Sequence, residues 1–384
     1  MRVVVLALLV VVSANTRAQS ILGTNGYVEY IPGDLPIVIS VPHGGDLQPA
    51  DMPDRTCNDP VYATDLYTIE LAKQIDSAFF ELTGCHPHLI ISHLHRRKLD
   101  CNRTLLPAAC NDPQAVIAWN EFHGFITQAQ TSVLMQFGEG FYVDLHGHGN
   151  IDQRVELGYM LYEEELELSD EILNTSTYVN YSSLYDLVFN NISGSTHAEL
   201  LRGTYALGTL LGDSGYPSVP SAQEPAPGIG NNYFSGGYNT NTHTSANPAN
   251  YFSGVQVECN YHGVRDNFAN RKSFSLMFSG AISEFMLTHY NTGLGTCSFL
   301  DIGTTNALSE VRAYPMPLSL SDGALKIQGM ERGSFVLYDL LGNRLQTGDF
   351  NHNTIHLINL SEGMYQLQLE GSQGRKRLPV LVSK

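Results

Sequence analysis

Residues 141–149 (FYVDLHGHG) combine a short apolar run with an abrupt change to histidine and glycine. The run predicts a buried strand, and the glycines predict a tight turn that ends it. Residues 35–41 (LPIVISV) have the same character and lead into another histidine–glycine turn at residues 42–45 (PHGG). Residues 88–93 and 255–258 are two more short apolar runs, so the sequence predicts four buried strands.

Apolar residues at helical spacing separate these strands along the chain. They predict helices over residues 65–82, 112–136 and 274–289. Gly84 follows the first helix, and Asn111 or Asp112 stands near the start of the second, as is typical of helix ends. Strands that alternate with helices predict an α/β fold around a largely parallel sheet.

The carboxyl ends of parallel strands meet at one edge of a sheet, and ligands of such sheets bind at that edge. Three of the four predicted strands deliver an ionisable residue there, namely His43, His146 and Glu258. We therefore expect a functional site that is assembled from segments far apart in the chain.

Composition and charge exclude several classes of protein. The 384 residues are 43% apolar and 15% charged, which favours a globular protein over a disordered one. The formal net charge of −17 would repel nucleic acid and anionic lipid, so neither is an expected partner. The length allows a large core and an accessory domain.

The two ends of the chain predict export and a second domain. Residues 1–18 have the positive start, apolar run and small residues of a signal peptide, and no later stretch is long enough to span a membrane. Residues 19–298 form the predicted main domain, and residues 299–312 a linker. Short alternating runs between turn signals then predict a small antiparallel β-sandwich over residues 313–384.

Residues 212–252 are rich in Pro, Gly, Asn, Ser and Tyr and show little periodicity. The segment is long for a loop in a compact domain, and its aromatic and Asn content favours an ordered loop near the site. The six cysteines permit disulfides in an exported chain, but their spacing does not fix the pairing. Cys101 with Cys110 would close the shortest loop, and buried free thiols are the alternative.

Histidines and carboxylates near the strand ends indicate a metal site. Asp46 follows His43 at a spacing of three, and zinc accepts imidazole and carboxylate ligands together. His146 is the better candidate ligand of the second turn, and Asp144 or His148 could orient a ligand or a substrate. A solvated polar turn is the alternative explanation for each segment.

Two further segments carry candidate functional groups. Residues 100–103 (DCNR) contain Arg103, whose planar guanidinium suits a carboxylate ligand. Glu258 ends a buried strand, where an unpaired charge would be costly, so a role as a general base is plausible for it. A structural salt bridge, for example to Arg265, is the alternative.

The order PHGG, DxNR, DLHGHG and VQVE resembles the N-formylglutamate amidohydrolase family, which is related to the zinc carboxypeptidases. The resemblance covers about residues 30–290 and includes residues 156–159 (ELGY) and 233–238 (YFSGGY). It implies a carboxypeptidase-like mixed sheet flanked by helices, and a zinc-dependent cleavage of an amide bond in a small substrate carrying a carboxylate.

The resemblance also implies a role for each candidate residue. It leaves the middle zinc ligand open between Asp65, which is favoured, and Asp46. The implied roles are zinc ligation by His43, His146 and one of these aspartates, substrate binding by Asn102, Arg103 and His148, proton transfer by Glu258, and polarisation of the scissile carbonyl by Arg97.

The C-terminal region resembles the type IX secretion sorting domain of Bacteroidetes. Residues 313–317 (AYPMP), 335–339 with Gly342, and 360–365 (LSEGMY) carry this resemblance. It implies export across the outer membrane by the type IX machinery. An exported protein makes two other functions reasonable: a carboxypeptidase or cell-wall peptide amidase, and a non-catalytic protein that binds peptides or glycans. The absence of a GxSxG motif from the sequence disfavours serine esterase chemistry.

Overall fold

The computed structural model describes residues 19–294, 311–314, 318–319, 323–338, 344–361, 363–371 and 374–383. The predicted signal peptide and residues 299–310 of the predicted linker lie outside these ranges. Within them, no helix is both long and apolar enough to cross a bilayer.

Strands and helices alternate through the first part of the chain, as expected from the sequence. Strands β1 to β8 are Ile21–Leu22, Val28–Ile31, Ile37–Val41, His88–Ser92, Phe141–His148, Val155–Gly158, Ser218–Val219 and Ser253–Asn260. Helices α1 to α11 are Thr68–Thr83, Leu105–Ala109, Pro113–Phe137, Glu163–Leu166, Asp170–Leu173, Ser176–Val179, Tyr185–Asn190, His197–Arg202, Leu207–Asp213, Tyr238–His243 and Phe268–His289.

The strands form one eight-stranded mixed sheet in the order β1-β2-β4-β3-β5-β8-β6-β7. Its centre, β4-β3-β5-β8, is parallel throughout. Strands β2 and β6 run antiparallel to this centre on either side. The carboxyl ends of β3, β5 and β8 therefore meet at one edge, as the sequence predicts.

Helices cover both faces of the sheet. Because side chains alternate along β5, its residues contribute in turn to the cores on the two faces. Val143 and Leu145 join the core that includes α1 and α11, whereas Tyr142 joins the core that includes α3. Because strand side chains alternate between faces, Asp144 and His146 share the α3 face with Tyr142. The polar end of β5 is thus directed to one side of the sheet.

The helix ends follow local capping chemistry. Asp112 caps α3 by accepting hydrogen bonds from the backbone N–H groups of Gln114 and Ala115, both at 3.0 Å. Gly84 ends α1 with a left-handed φ of 73°. Helix α11 begins at Phe268, earlier than predicted, because Asn267 caps its first turn.

The tight packing of α1 on the sheet makes a large stability effect testable. Phe79 is fully buried in the core between α1 and the sheet, whereas its neighbour Phe80 is 42% exposed. We expect Phe79→Ala to lower the free energy of unfolding by about 3–5 kcal/mol, because it removes a buried ring and leaves a cavity. The matched control, Phe80→Ala, should cost less than about 1 kcal/mol. Urea unfolding followed by circular dichroism compares the two, and equal losses would contradict the assigned packing.

The chain between β6 and β8 is more structured than its composition suggests. Short helices α4 to α9 form its first part, and β7 and α10 lie within residues 212–252. The remainder is an ordered loop that lies against β6: the Tyr233 hydroxyl donates to the Leu157 carbonyl at 2.6 Å, and the Phe234 N–H donates to Glu156 at 3.0 Å. These contacts bring the loop to the same strand that neighbours Glu258.

The disulfide pairing differs from the shortest-loop interpretation. Cys57 is bonded to Cys110, with the Cα atoms 5.8 Å apart. Cys101 is a buried free thiol in the core beneath α3, as is Cys259 on the opposite face. The core position of Cys101 keeps it from Cys110 despite the short separation in sequence.

The C-terminal part forms two small sheets with a core of their own, as predicted. Strands β9 to β16 are Arg312–Tyr314, Leu318–Ser319, Ala324–Gln328, Gly333–Tyr338, Arg344–Phe350, Thr354–His356, Gly363–Gly371 and Gly374–Ser383. The orders of the two sheets are β10-β16-β15-β12-β13 and β14-β11-β9, and all pairs are antiparallel except β10 with β16.

Candidate metal centre

Three side chains from different segments converge at the carboxyl edge of the sheet. His43 follows β3, Asp65 precedes α1, and His146 lies near the end of β5. Each offers one ligand atom, all within 4.8 Å of one another, and all three residues are buried. The Asp65 Oδ2 atom lies 3.0 Å from His146 Nδ1 and 3.5 Å from His43 Nδ1.

A close approach of two backbone segments brings Asp65 to this group. The Asp65 N–H donates to the carbonyl of His43 at 3.1 Å, so the chain before α1 runs against the turn after β3. Gly44 makes room for this approach, because a Cβ at that position would lie 2.5 Å from the Thr68 Oγ1 atom. The glycine of the PHGG turn therefore allows an acid 22 positions after His43 to reach it.

The donor atoms of this group suit a zinc ion. His43 Nδ1 is buried and has no hydrogen-bond partner among the described residues, which is costly for a polar atom unless a ligand completes it. Ligand atoms about 2.0–2.1 Å from a tetrahedral zinc are about 3.3 Å apart, and the two separations from Asp65 bracket that value. Two imidazoles and one carboxylate also form a ligand set that zinc accepts.

One further carboxylate contacts each imidazole on the side away from Asp65. Asp100 Oδ1 lies 2.7 Å from His43 Nε2, and Asp144 Oδ2 lies 2.9 Å from His146 Nε2. Both aspartates are fully buried. Each carboxylate accepts a hydrogen bond from Nε2–H, which leaves Nδ1 as the ring nitrogen that faces Asp65, an arrangement that fixes the tautomer and the orientation of a metal-binding histidine.

These outer carboxylates are themselves anchored. Arg96 Nε lies 3.0 Å from Asp100 Oδ2, and Arg103 Nε lies 3.2 Å from the same atom. Ser40 donates to Asp144 at 2.6 Å, and the side-chain amide of Asn239 donates to it at 3.1 Å. The buried charge of each aspartate is therefore compensated by neighbouring groups.

Neighbouring charges in the group oppose the effect of burial on the pKa values of Asp65 and His146. Burial alone would raise the pKa of Asp65, but its hydrogen bond with His146 and the nearby imidazole of His43 hold that pKa well below its usual value. Burial would lower the pKa of His146, but Asp144 and the other carboxylates raise it well above its usual value. A metal ion bound here would therefore replace the proton that His146 Nδ1 shares with the anionic Asp65, because an imidazole nitrogen must be deprotonated to ligate a metal.

Glu258 lies beside this group at the end of β8. Its Oε1 atom is 3.9 Å from His146 Nδ1, and it accepts a hydrogen bond from the Gln256 amide at 3.1 Å. The pKa of Glu258 is raised to about 8, because burial, the largest cause, and the nearby carboxylates Asp65 and Glu156 together outweigh the opposing charges of His146 and Arg265. A carboxyl group in this position is able to accept and return a proton.

Asn102 and Arg103 lie at the rim of the group. The Asn102 Nδ2 atom is 3.1 Å from His146 Nε2, and its Oδ1 atom accepts from the backbone N–H of Asn239 at 2.8 Å. The side chain of Arg103 remains 31% exposed while its Nε atom contacts Asp100. The structure thus places Asn102 against a candidate ligand, and Arg103 between a buried aspartate and solvent.

Three candidate residues are not brought into the group. Asp46 is exposed, because the chain after Gly45 runs alongside residues 93–95 and carries it away from His43. Arg97 instead lies 3.2 Å from Asp54 and over the ring of Tyr62. The structure therefore does not bring Asp46 or Arg97 to the group for which the sequence predicted them as a metal ligand and a polarising residue.

His148 also has a local role rather than a place in the group. Strand β5 continues through the glycine at 147 to His148, although the sequence suggested that it would end earlier. The His148 Nε2 atom lies 2.8 Å from the Arg154 carbonyl, and Nδ1 accepts from the Asn150 N–H at 3.1 Å. Both ring nitrogens are therefore used within the loop, whereas the sequence predicted a contact with the substrate.

The sequence interpretation missed several residues that support the group. Gln256 orients Glu258, and Asn239 links Asn102 to Asp144. Strand periodicity could have identified Gln256, since it lies two positions before Glu258 on the same face. No local pattern points to Asn239, because its contribution depends on how a long loop packs.

Comparisons with known proteins gave matches to structures alone. No protein-family model and no curated protein matches the chain. N-formylglutamate amidohydrolase from Ralstonia eutropha JMP134 aligns with 67% of this chain and 97% of its own, at 14% identity and a TM-score of 0.39. A gene product of Agrobacterium tumefaciens aligns with 68% of this chain and 95% of its own, at 11% identity and a TM-score of 0.42. A candidate metallopeptidase from Shewanella amazonensis SB2B aligns with 68% of this chain and 82% of its own, at 14% identity and a TM-score of 0.30.

Proposed function

We propose that this chain is a zinc-dependent hydrolase that cleaves an amide bond in a small substrate carrying a carboxylate, as an N-formylglutamate amidohydrolase does. The observation that carries the proposal is the buried group of His43, Asp65 and His146, in which one ring nitrogen lacks a hydrogen-bond partner in the described structure. The sequence motifs that resemble the amidohydrolase family supply the reaction class.

The three residues would hold the zinc ion through His43 Nδ1, the Asp65 carboxylate and His146 Nδ1. A zinc ion with three protein ligands supplies a Lewis acid, which polarises a carbonyl group and makes water acidic enough to give a nucleophile near neutral pH. Asp100 and Asp144 keep the two rings in the tautomer that this ligation needs.

Glu258 would perform the proton transfers. It would accept a proton from the attacking water and return it to the nitrogen of the leaving amine, because an amide nitrogen must be protonated before it departs. Gln256 orients the carboxyl group through its hydrogen bond to Oε1, the oxygen that lies 3.9 Å from His146 Nδ1. The enclosing side chains keep bulk water away from this step, since Glu258 is 4% exposed.

Arg103 would bind the carboxylate of the substrate. Its guanidinium is anchored at Nε by Asp100, and the exposed remainder of the side chain faces solvent beside Asn102. An anchored guanidinium donates to a carboxylate with little loss of side-chain entropy. The anchor also links the substrate contact to the imidazole of His43 through Asp100.

Replacing Arg103 should therefore change selectivity more than catalysis. We expect Arg103→Ala to lower kcat/KM about 10-fold to 100-fold for a substrate with a carboxylate, mainly through KM, and to have little effect on the matching amide. Arg97→Ala is the matched control, since that side chain contacts Asp54 outside the group. Equal losses on the charged and uncharged substrates would show that Arg103 does not recognise the carboxylate.

A peptide is the second candidate substrate. Leu66 and Tyr67 directly follow Asp65 and are 55% and 40% exposed, so a longer substrate could contact them. The test of both candidates is zinc-loaded protein assayed against N-formyl amino acids, N-acyl amino acids and peptides. Turnover of formyl-amino acids supports the first candidate, and turnover of peptides alone supports the second. Bound zinc with no turnover on any amide would indicate a protein that binds without catalysis.

We also propose that the protein is exported and attached to or released from the cell surface. The support is the sequence of residues 1–18 and the resemblance of residues 313–384 to a type IX sorting domain. Mass spectrometry of protein isolated from the native cells should find a mature N-terminus near Gln19. Full-length protein that is recovered from the cytoplasm with Met1 intact would contradict this proposal.

A further inference from the structure

One buried guanidinium contacts three of the four segments that carry the proposed site. Arg265 lies in the irregular turn Tyr261–Arg265 after β8 and is only 3% exposed. Its Nε donates to the carbonyl of Cys259 at 3.0 Å, and its Nη2 donates to the carbonyl of His148 at 2.7 Å. Its Nη1 donates to the carbonyl of Leu66.

The positions of these carbonyls are informative. Leu66 directly follows Asp65, His148 lies two residues after His146, and Cys259 directly follows Glu258. Each acceptor thus lies within two residues of a group that the proposed mechanism uses. Because the guanidinium is planar and rigid, its three nitrogens fix the three carbonyls relative to one another.

We infer that Arg265 is a positioning residue that holds Asp65, His146 and Glu258 in register for zinc binding and proton transfer; the inference rests on the proposed function. It does not form the salt bridge to Glu258 that the sequence suggested, since all three nitrogen positions are used on backbone carbonyls. Its charge is stabilised by these carbonyl dipoles and by the ring of Tyr261, 5.6 Å from the guanidinium carbon.

Gly147 provides a second, independent observation. A Cβ at this position would lie 2.3 Å from the guanidinium carbon of Arg265 and 2.4 Å from its Nε atom. The glycine between His146 and His148 is therefore needed for the guanidinium to pass β5 at this distance. Gly147, the residue next to the candidate ligand His146, thus provides the space that the Arg265 guanidinium occupies.

Arg202 offers a matched control in the same chain. Its guanidinium donates to the carbonyls of Leu166 and Leu168 at 2.6 and 2.8 Å and contacts Asp170. It joins short helices away from the proposed site. Replacing Arg202 therefore removes a comparable set of carbonyl contacts without touching the segments of Asp65, His146 and Glu258.

The experiment compares Arg265→Met, Arg265→Lys and Gly147→Ala with Arg202→Met, using the full chain. Calorimetric titration with zinc should give a dissociation constant about 10-fold to 100-fold higher for Arg265→Met and Gly147→Ala, as for other residues that orient metal ligands. Arg265→Lys should lie between these and the wild type, because an ammonium group cannot reach three carbonyls at once. Arg202→Met should have a zinc dissociation constant within about 2-fold of the wild type, because Arg202 contacts none of the segments that carry the site.

Hydrogen exchange on the metal-free proteins gives a readout that does not depend on zinc. Arg265→Met should raise the exchange of backbone amides in all three segments together, around residues 65–68, 146–149 and 258–260, and Arg202→Met should not. Unchanged exchange in these segments would overturn the inference. If the wild type binds no zinc, the proposed function fails, and the exchange comparison still decides whether Arg265 holds the segments.

Discussion

Asp65→Asn should lose zinc and, with it, the turnover of every amide substrate. Asp65 is the carboxylate that lies within 3.0 and 3.5 Å of the two imidazole Nδ1 atoms, and its side chain is 9% exposed. Asparagine keeps the shape but removes the negative charge that compensates the cation. We expect the zinc dissociation constant to rise more than about 100-fold, since the loss of an outer contact alone costs about 10-fold to 100-fold.

Asp46→Asn is the control that makes this result specific. Asp46 stands three residues after His43, the spacing that made it the other candidate ligand, but the structure leaves it exposed. Zinc titration of the two variants should show a large loss of zinc affinity for Asp65→Asn and a change of no more than about 2-fold for Asp46→Asn. Loss of zinc in the Asp46 variant with retention in the Asp65 variant would reverse the assignment.

Glu258→Gln should keep zinc and lose most of the turnover. Glutamine is isosteric and can keep its contact with Gln256, but it cannot accept a proton. Removing a general base lowers kcat about 10²-fold to 10⁴-fold, whereas KM and the zinc affinity should change little. Steady-state kinetics with metal analysis on the same samples measures both properties.

Glu156→Gln is the matched control for this variant. Glu156 lies directly opposite Glu258 on the neighbouring strand and is equally buried, but its oxygens contact Asn150 and the Phe234 N–H. It should retain kcat within about 10-fold of the wild type. If Glu258→Gln turns over substrate at a similar rate to Glu156→Gln, Glu258 is not the proton acceptor.

The sequence predicted the sheet centre and the flanking helices because both follow from hydrophobic periodicity. The apolar runs that end at His43, His146 and Glu258 became parallel neighbours β3, β5 and β8, whose order places those residues at one edge. The faces of α1 and α11 could likewise be read from apolar spacing. The short helices α4 to α9 had no such pattern and were not predicted.

Which carboxylate joins His43 could not be decided from spacing, because the answer depends on backbone pairing. The residues after Gly45 run parallel to residues 93–95, through bridges that carry Asp46 outwards. The hydrogen bond from the Asp65 N–H to the His43 carbonyl instead brings the start of α1 to the site. Both contacts join segments distant in sequence, which no local motif records.

Other sequence interpretations differ from the structure for similar reasons. His148 shares a strand face with His146, but the loop after β5 folds back and uses both of its ring nitrogens. Arg96, rather than Arg97, reaches Asp100, since adjacent side chains of the turn point in different directions. Arg265 lies seven positions after Glu258, and its turn aims it at backbone carbonyls instead of the carboxylate.

The most direct test of the account is a crystal structure of the full chain grown with zinc and recorded at the zinc absorption edge. The account predicts one anomalous peak within about 2.0–2.2 Å of His43 Nδ1, an Asp65 carboxylate oxygen and His146 Nδ1. A structure with no peak at this position, or with zinc held by other residues while Asp65 stays hydrogen-bonded to His146, would contradict it.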